Sequence, residues 1–228
     1  MRKFYSFLLV LLFVVLSSTL QVSAQNYTYT TSAGNAIVPG TTLVPGSQGD
    51  DVVAAFALPF AYTAYNVSYN SVNLSSNGTI QFTTAASALS NTCALPSATI
   101  GVAFMPHWDD LHTSRSAGDG IYTSISGSAP NRILNIEWRG QLFSPSGSTI
   151  NFEARLFEGQ QRVDFIYGTN TNNGSSATIG VQSNPTAQFT NFSCNTATLS
   201  SGLGISFTVP SPCSGSRQCS IPIQPISK

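Results

Sequence analysis

The densest group of side chains that could do chemistry lies at residues 107–112, in the sequence HWDDLH. It contains two histidines and two aspartates, and a further aspartate lies seven residues after His112 and could fold back onto the cluster. Carboxylates with backbone carbonyls suit calcium, whereas imidazoles suit a transition metal. The candidate metal ligands are His107, Asp109, Asp110, His112 and Asp119.

A structural role is the competing interpretation of this cluster, and we expect it to prevail. The cluster follows an apolar run over residues 99–105, which predicts a buried strand. An aspartate just after a strand can accept hydrogen bonds from nearby backbone N–H groups. We therefore predict weak or no metal binding and no resident cofactor, with calcium as the alternative.

Residues 132–167 predict the part of the fold that positions most of the other charged side chains. Apolar and polar residues alternate there in three runs, separated by a loop at residues 144–148 and a turn at Gly159. Alternation with a period of two predicts strands that have one dry face and one wet face. We expect a central antiparallel meander of three strands.

One register of this meander places opposite charges side by side on the wet face. Arg155 then lies opposite Glu137 on one neighbouring strand and opposite Asp164 on the other, while Trp138 faces Ala154 on the dry face. Cross-strand pairs of opposite charge contribute roughly 0.2–1 kcal/mol each. We interpret the row Glu137–Arg155–Asp164 as a structural ladder that determines the register.

The same row contains the strongest candidate for a catalytic pair of carboxylates in the sequence. Across one intervening strand, Glu137 and Asp164 would lie about 9–10 Å apart, a separation that overlaps the range of inverting glycosidases. Arg155 between them would keep both carboxylates ionised, which removes the general acid. The sequence has no Gly-x-Ser-x-Gly elbow either, so we predict that the chain is not an enzyme.

Residues 1–24 have the organisation of a secretory signal peptide. A basic pair precedes an apolar run over residues 4–16, and the small residues before Gln25 form a cleavage site. The alternative is an uncleaved signal anchor, although the run is short for a membrane span. We expect a secreted protein, extracellular or at the cell surface, with no membrane insertion after cleavage.

The 228-residue chain has a formal charge of zero, but its predicted mature domain is acidic. Between residues 25 and 210, five arginines face nine aspartates and glutamates, which gives a net charge of −4. This charge argues against nucleic acid or an anionic membrane as a partner.

The four cysteines indicate disulfides, because an even number in a secreted chain is typical of cross-links. Of the three possible pairings we favour Cys93–Cys194 and Cys213–Cys219. The first closes a loop of about 100 residues, for which the chain-entropy model gives roughly 4–5 kcal/mol. A zinc site is the alternative, but the spacings match no zinc pattern.

The rest of the chain predicts an all-β fold. Short apolar runs recur between turn residues, and the Asn77-Gly78 pair predicts a hairpin with a type I′ turn. About ten short strands without a helical period predict an antiparallel two-sheet β-sandwich over residues 25–210. Residues 211–228 are rich in Pro, Ser and Cys and predict a tail or a linker to further domains.

Five segments occur in an order that resembles a known family: VNLSSNGTIQF (72–82), VAFMPHWDDL (102–111), GDGIYTSISGSAPNRILNIEW (118–138), NFEARLFEGQQRVDFIYG (151–168) and SATIGVQ (176–182). Together they resemble the nidogen-like extracellular β-sandwich, in the version found in large secreted or surface-bound bacterial proteins. The resemblance covers roughly residues 27–210. It implies a non-catalytic module of matrix or adhesive proteins, and it makes Trp108 and Asp109 part of a structural turn.

The expected function is therefore binding or structural, in adhesion to a surface or an extracellular matrix, with an extracellular protein or glycan as partner. A carbohydrate-binding module that serves a secreted enzyme is the first alternative, and a ligand-free spacer is the second. A row of exposed tyrosines would favour the first alternative, because tyrosine offers sugars an apolar face and a polar edge. Ordinary packing in the strands is the competing role for these tyrosines, at positions 27, 29, 62, 65 and 69.

Overall fold

A computed structural model describes residues 26–210. The predicted signal peptide, the Cys213–Cys219 pairing and the 211–228 segment lie outside the described residues. Within them the chain forms strands and one short 3-10 helix, Asn184–Thr186. The strands are β1 (Thr28–Ser32), β2 (Thr42–Leu43), β3 (Val53–Ala64), β4 (Val67–Ser75), β5 (Thr79–Gln81), β6 (Val102–Trp108), β7 (Leu111–His112), β8 (Gly120–Ser126), β9 (Ile133–Leu142), β10 (Ile150–Phe157), β11 (Arg162–Asn170), β12 (Thr178–Ser183), β13 (Gln188–Cys194) and β14 (Gly204–Thr208).

The strands form two antiparallel sheets, which confirms the predicted fold class. The eight-stranded sheet has the order β1-β14-β11-β10-β9-β8-β2, and β7 pairs with β9 beside this path. The six-stranded sheet has the order β13-β12-β6-β5-β4-β3. No helix of the described residues is long and apolar enough to cross a membrane.

A continuous apolar core lies between the two sheets, and buried hydrogen bonds cross it. The indole of Trp138 on β9 donates to the carbonyl of Ser75 on β4 at 2.9 Å. The hydroxyl of Tyr167 on β11 donates to the carbonyl of Pro106 on β6 at 2.7 Å. These bonds satisfy polar groups at the ends of large buried side chains and align the sheets.

The meander is formed by β9, β10 and β11, and half of its predicted register is confirmed. Arg155 lies opposite Asp164, as expected. Glu137, however, lies opposite Glu153 rather than Arg155, because β9 and β10 are shifted by two residues from the prediction. A shift of two residues keeps every side chain on its predicted face, so the faces are right and the cross-strand partners are wrong.

The cause of the shift lies at the end of β9. Gln141 and Leu142 pair with β7 instead of β10, so the ladder with β10 begins only at Gly140, opposite Ile150. For the same reason Trp138 lies opposite Phe152 and not Ala154; the two rings stack with centroids 5.1 Å apart.

The hairpin at Asn77-Gly78 joins β4 to β5 as predicted, but its turn type differs. Ser75 pairs with Thr79, and the N–H of Gly78 donates to the carbonyl of Ser75. Only Gly78 of the central pair has a positive φ, so the turn is not of type I′. The Asn77 side chain is buried and accepts a bond from the N–H of Leu111 at 2.8 Å, which attaches the turn to the chain after β6.

The predicted Cys93–Cys194 disulfide is present, with a Cα–Cα distance of 5.6 Å, which excludes these two cysteines as zinc ligands. It joins the loop after β5 to the last residue of β13. The strand β13 was not predicted.

Candidate functional site

The structure places the predicted metal ligands in different surroundings, although His107 and Asp109 remain close. His107 is fully buried, and its ring stacks on Phe152 with centroids 5.3 Å apart. Its Nδ1 lies 3.2 Å from Asn170 Nδ2, and burial lowers the pKa of His107 to about 3. Asp109 lies 3.8 Å from His107 and accepts a hydrogen bond from the hydroxyl of Ser176 at 2.6 Å.

Local backbone contacts account for three members of the predicted set, Asp109 among them. Asp109 accepts a bond from the N–H of Asp110, and Asp119 accepts one from the N–H of Ser116 at 2.8 Å. The Nδ1 of His112 accepts a bond from the N–H of Ser114. These bonds are those of the structural alternative, in which the side chains stabilise turns.

Asp110 is the member of the predicted set that joins other carboxylates. Its oxygen lies within 4.8 Å of oxygens of Asp50 and Asp51, which come from the loop before β3. We call these three residues the aspartate trio. Burial, and then the charges of Asp51, Asp50 and Asp109, raise the pKa of Asp110, while Arg115 lowers it. The trio is the group of the described residues whose geometry could hold a cation.

The tyrosines do not form a platform. Tyr27, Tyr62 and Tyr65 are buried in the core, and Tyr69 packs against it. Tyr29 is 42% exposed. Packing in the strands, the competing role, is therefore confirmed for most of them.

A segment of the chain crosses the outer face of the eight-stranded sheet. Because β1 and β2 lie at opposite edges of this sheet, residues 33–41 must run across it. We call this segment the strap. A Cβ built on Gly168 of β11 would lie 2.9 Å from Ile37, so the strap packs closely on the sheet.

Two ion pairs of the same Glu-x-Arg pattern hold the strap. On β9, Glu137 accepts a bond from the N–H of Gly40 at 2.8 Å, and Arg139 donates to the Gly40 carbonyl at 2.9 Å. On β10, Glu153 accepts a bond from the N–H of Val38 at 3.1 Å. Each carboxylate also bonds the arginine two residues further along its own strand, at 2.6 Å for Glu137–Arg139 and 2.8 Å for Glu153–Arg155.

The predicted row Glu137–Arg155–Asp164 is thus replaced by ion pairs along the strands. Asp164 pairs with Arg162 at 2.7 Å, and Arg155 donates to Glu153 and to the carbonyl of Ala36 in the strap. Residues i and i+2 share one face of a strand, so the repeated Glu-x-Arg pattern was visible in the sequence. The strap they bind was not, because its residues have no periodicity.

The two glutamates of the strap differ in their electrostatics. Burial tends to raise the pKa of Glu137, but bonds from Arg139, Asn151 and the Gly40 N–H together lower it. Burial raises the pKa of Glu153, and Arg155 offsets this only in part. Glu153 Oε1 and Arg155 Nε have no hydrogen-bond partner among residues 26–210. The pair on β10 is therefore less completely satisfied than the pair on β9.

A polar cleft of about 410 Å³ lies beside the strap, where β9 and β10 separate. Gly140 marks this point; a Cβ there would lie 2.8 Å from the carbonyl oxygen of His112, on β7. The cleft is lined by side chains that carry hydrogen-bonding groups, among them Asp119, Glu137, Arg139, Gln141, Asn151 and Thr169.

Comparison with known proteins identifies a family. A family model described as NIDO related matches residues 20–217, which is most of the chain. Comparison with curated proteins and with solved structures finds no match.

Proposed function

Because the chain belongs to the NIDO-related family, we propose that it is a secreted, non-catalytic module that binds an extracellular ligand in adhesion or surface assembly. The disulfide between Cys93 and Cys194 supports an extracellular site of action, since such cross-links persist in oxidising compartments. The resemblance to nidogen-like domains of bacterial surface proteins favours the same location.

One observation carries the non-catalytic part of the proposal: the carboxylates of the sheet are bound to arginines and to backbone. Glu137 and Glu153 bond the strap, and Asp164 has a bidentate pair with Arg162. A general acid needs a carboxyl that is protonated near the working pH. At Glu137, despite burial, the bonds from Arg139, Asn151 and the strap favour the ionised form and lower the pKa. Glu153 and Asp164 are each bound by an arginine, so these residues suit a structural role.

The buried histidine supports the same proposal. His107 is fully buried, and burial keeps its imidazole neutral by lowering its pKa to about 3. A general base must reach the proton that it removes from the substrate. His107, on β6, is therefore suited to pack against Phe152 in the core rather than to contact a substrate.

The binding part of the proposal is tested with the purified full chain on arrays of glycans and extracellular matrix proteins, with calcium and again with EDTA. Saturable binding to a glycan or a protein is the expected result. The absence of binding on both arrays would contradict the proposal and favour the ligand-free spacer. Hydrolysis of an arrayed glycan would contradict the non-catalytic part.

A further inference from the structure

We propose that the polar cleft binds a neutral saccharide; this inference rests on the proposed function and assigns its ligand class and site. The cleft lies outside the strap, where Gln141 leaves the ladder with β10 to pair with β7. Its volume of about 410 Å³ falls within the roughly 300–1,000 Å³ of small-ligand sites. A short saccharide fits a site of this size.

The polar side chains of the cleft are held in place before a ligand arrives. Asn151 donates through Nδ2 to Glu137 at 2.9 Å and to the carbonyl of Trp138 at 3.0 Å. Arg139 uses Nη2 for Glu137 and the strap, and its guanidinium carbon lies 4.1 Å from the centroid of the Tyr122 ring. Preorganised groups of this kind lose little conformational entropy when they bind.

These bonds leave both donors and acceptors for a ligand. Arg139 has N–H groups beyond Nη2, and Asn151 has its Oδ1 acceptor. Asp119 uses Oδ2 for the N–H of Ser116 and keeps its second oxygen. Thr169 is exposed at the rim and offers a hydroxyl. A sugar hydroxyl donates one hydrogen bond and accepts others, so it matches a mixed lining better than a purely donating or accepting ligand would.

The charge of the lining selects against anions. Asp119 and Glu137 provide two carboxylates against the single guanidinium of Arg139. A phosphate, sulfate or sialic acid would meet this excess negative charge, whereas a neutral saccharide would not.

The lining of the cleft has too little exposed apolar surface to anchor a peptide. Protein ligands are typically anchored by apolar or aromatic side chains in fully desolvated pockets. The apolar residue in the lining is Ile150, whose side chain belongs to the core between the sheets and is 1% exposed. The cleft therefore offers a peptide hydrogen bonds but no apolar anchor site.

The test compares the purified full chain with three variants on immobilised mannan, laminarin and chito-oligosaccharides, with a sialylated oligosaccharide as the anionic probe. Thr169→Val and Asp119→Asn change cleft residues. Thr30→Val changes an exposed threonine on β1, away from the cleft, and is the matched control. A mannose-rich glycoprotein, before and after deglycosylation, distinguishes a protein-borne glycan from a free polysaccharide; binding to either supports the inference.

We expect binding to a neutral saccharide, weaker or no binding to the sialylated probe, and a loss of affinity of about 2- to 10-fold in each cleft variant. The control is expected to bind as the wild type does, and Thr169→Val and the control to have the wild-type melting temperature. Saccharide binding that neither cleft variant weakens would overturn the inference and leave the proposed function standing. Binding to matrix proteins but to no saccharide would likewise overturn the inference and leave the proposed function standing. Binding to none of the probes or proteins would overturn both.

Discussion

The two ion pairs that hold the strap and the aspartate trio both bring carboxylates together, but the negative charge is compensated differently in the two places. Glu137 and Glu153 face each other on paired strands, and each has an arginine two residues further along and a backbone N–H from the strap. In the trio, Asp50 and Asp51 are exposed and Asp110 is partly exposed, so water screens them. Burial thus explains the difference, because a buried charge needs a partner and an exposed one does not.

The variant Arg155→Met is the strongest test of the claim that burial imposes these ion pairs. This change leaves Glu153, whose side chain is fully buried, without its ion-pair partner. Removing one member of a buried pair typically costs about 3–5 kcal/mol. We expect a loss of this size in the free energy of unfolding, measured with urea at pH 7.

The double variant Glu153→Gln with Arg155→Met is the control for this prediction. It removes the stranded charge as well, so much of the lost stability should return. Because burial raises the pKa of Glu153, the single variant should also lose less stability at acid pH, where the carboxyl becomes neutral. A loss below about 1 kcal/mol in the single variant would show that burial does not impose the pairing.

The second test disturbs the strap without touching a charge. In Gly168→Ala, the new methyl group would stand 2.4 Å from Asn151 Oδ1 and 2.9 Å from Ile37, so the strap or the asparagine must move. Overpacking of this kind costs about 1–3 kcal/mol. Thr169→Ala, at the exposed neighbouring position, is the control and should cost little. Equal unfolding midpoints for the two variants would contradict close packing of the strap.

Periodicity explains how much of this fold could be predicted. Alternation determines which face a side chain occupies, so the meander, its faces and the Arg155–Asp164 register were predictable. The β9–β10 register was not, because it depends on β7, a strand of two residues that pairs with Gln141 and Leu142. No period is detectable in two residues. Long-range contacts of this kind also determine the turn at Asn77, whose side chain binds the N–H of Leu111.

The candidate site was less predictable, because loops that lack periodicity complete it. The HWDDLH cluster was noticed for its residue types, but β6 ends at Trp108, inside the cluster, and the residues after it leave the strand. His107 therefore enters the core, while Asp110 joins two aspartates from a distant loop. The Glu-x-Arg repeat was the usable signal, since it places each glutamate and arginine on one face.

The third test uses pH on the strap. Because its pKa is lowered in the folded protein, Glu137 stabilises the fold above the unfolded value of about 4.5, and this stability is lost as the pH falls through the folded pKa. Glu137→Gln should therefore lower the free energy of unfolding at pH 7 by about 1–2 kcal/mol. The difference from the wild type should shrink in acid. A difference that is independent of pH would indicate that shape, not charge, matters at this position.

The aspartate trio should respond to pH with the opposite sign. The pKa of Asp110 is raised in the folded protein, so its ionisation costs stability as the pH rises through the interval from the unfolded to the folded pKa. Asp110→Asn should thus raise the melting temperature at pH 7, by the equivalent of about 0.2–1 kcal/mol, and not at pH 3. A destabilised variant at pH 7 would show that Asp110 has a compensating partner after all.

The smallest expected effect is that of calcium on the melting temperature, and it concerns the aspartate trio rather than the strap. The strap carboxylates already have cations, whereas the trio presents oxygens within 4.8 Å of one another. One oxygen of Asp51, however, already accepts a bond from the Asn77 amide at 2.7 Å, and calcium requires about six to eight oxygen ligands. We therefore expect the same melting temperature in millimolar calcium and in EDTA. A sharp drop in EDTA that is absent from Asp110→Asn would instead establish the trio as a calcium site.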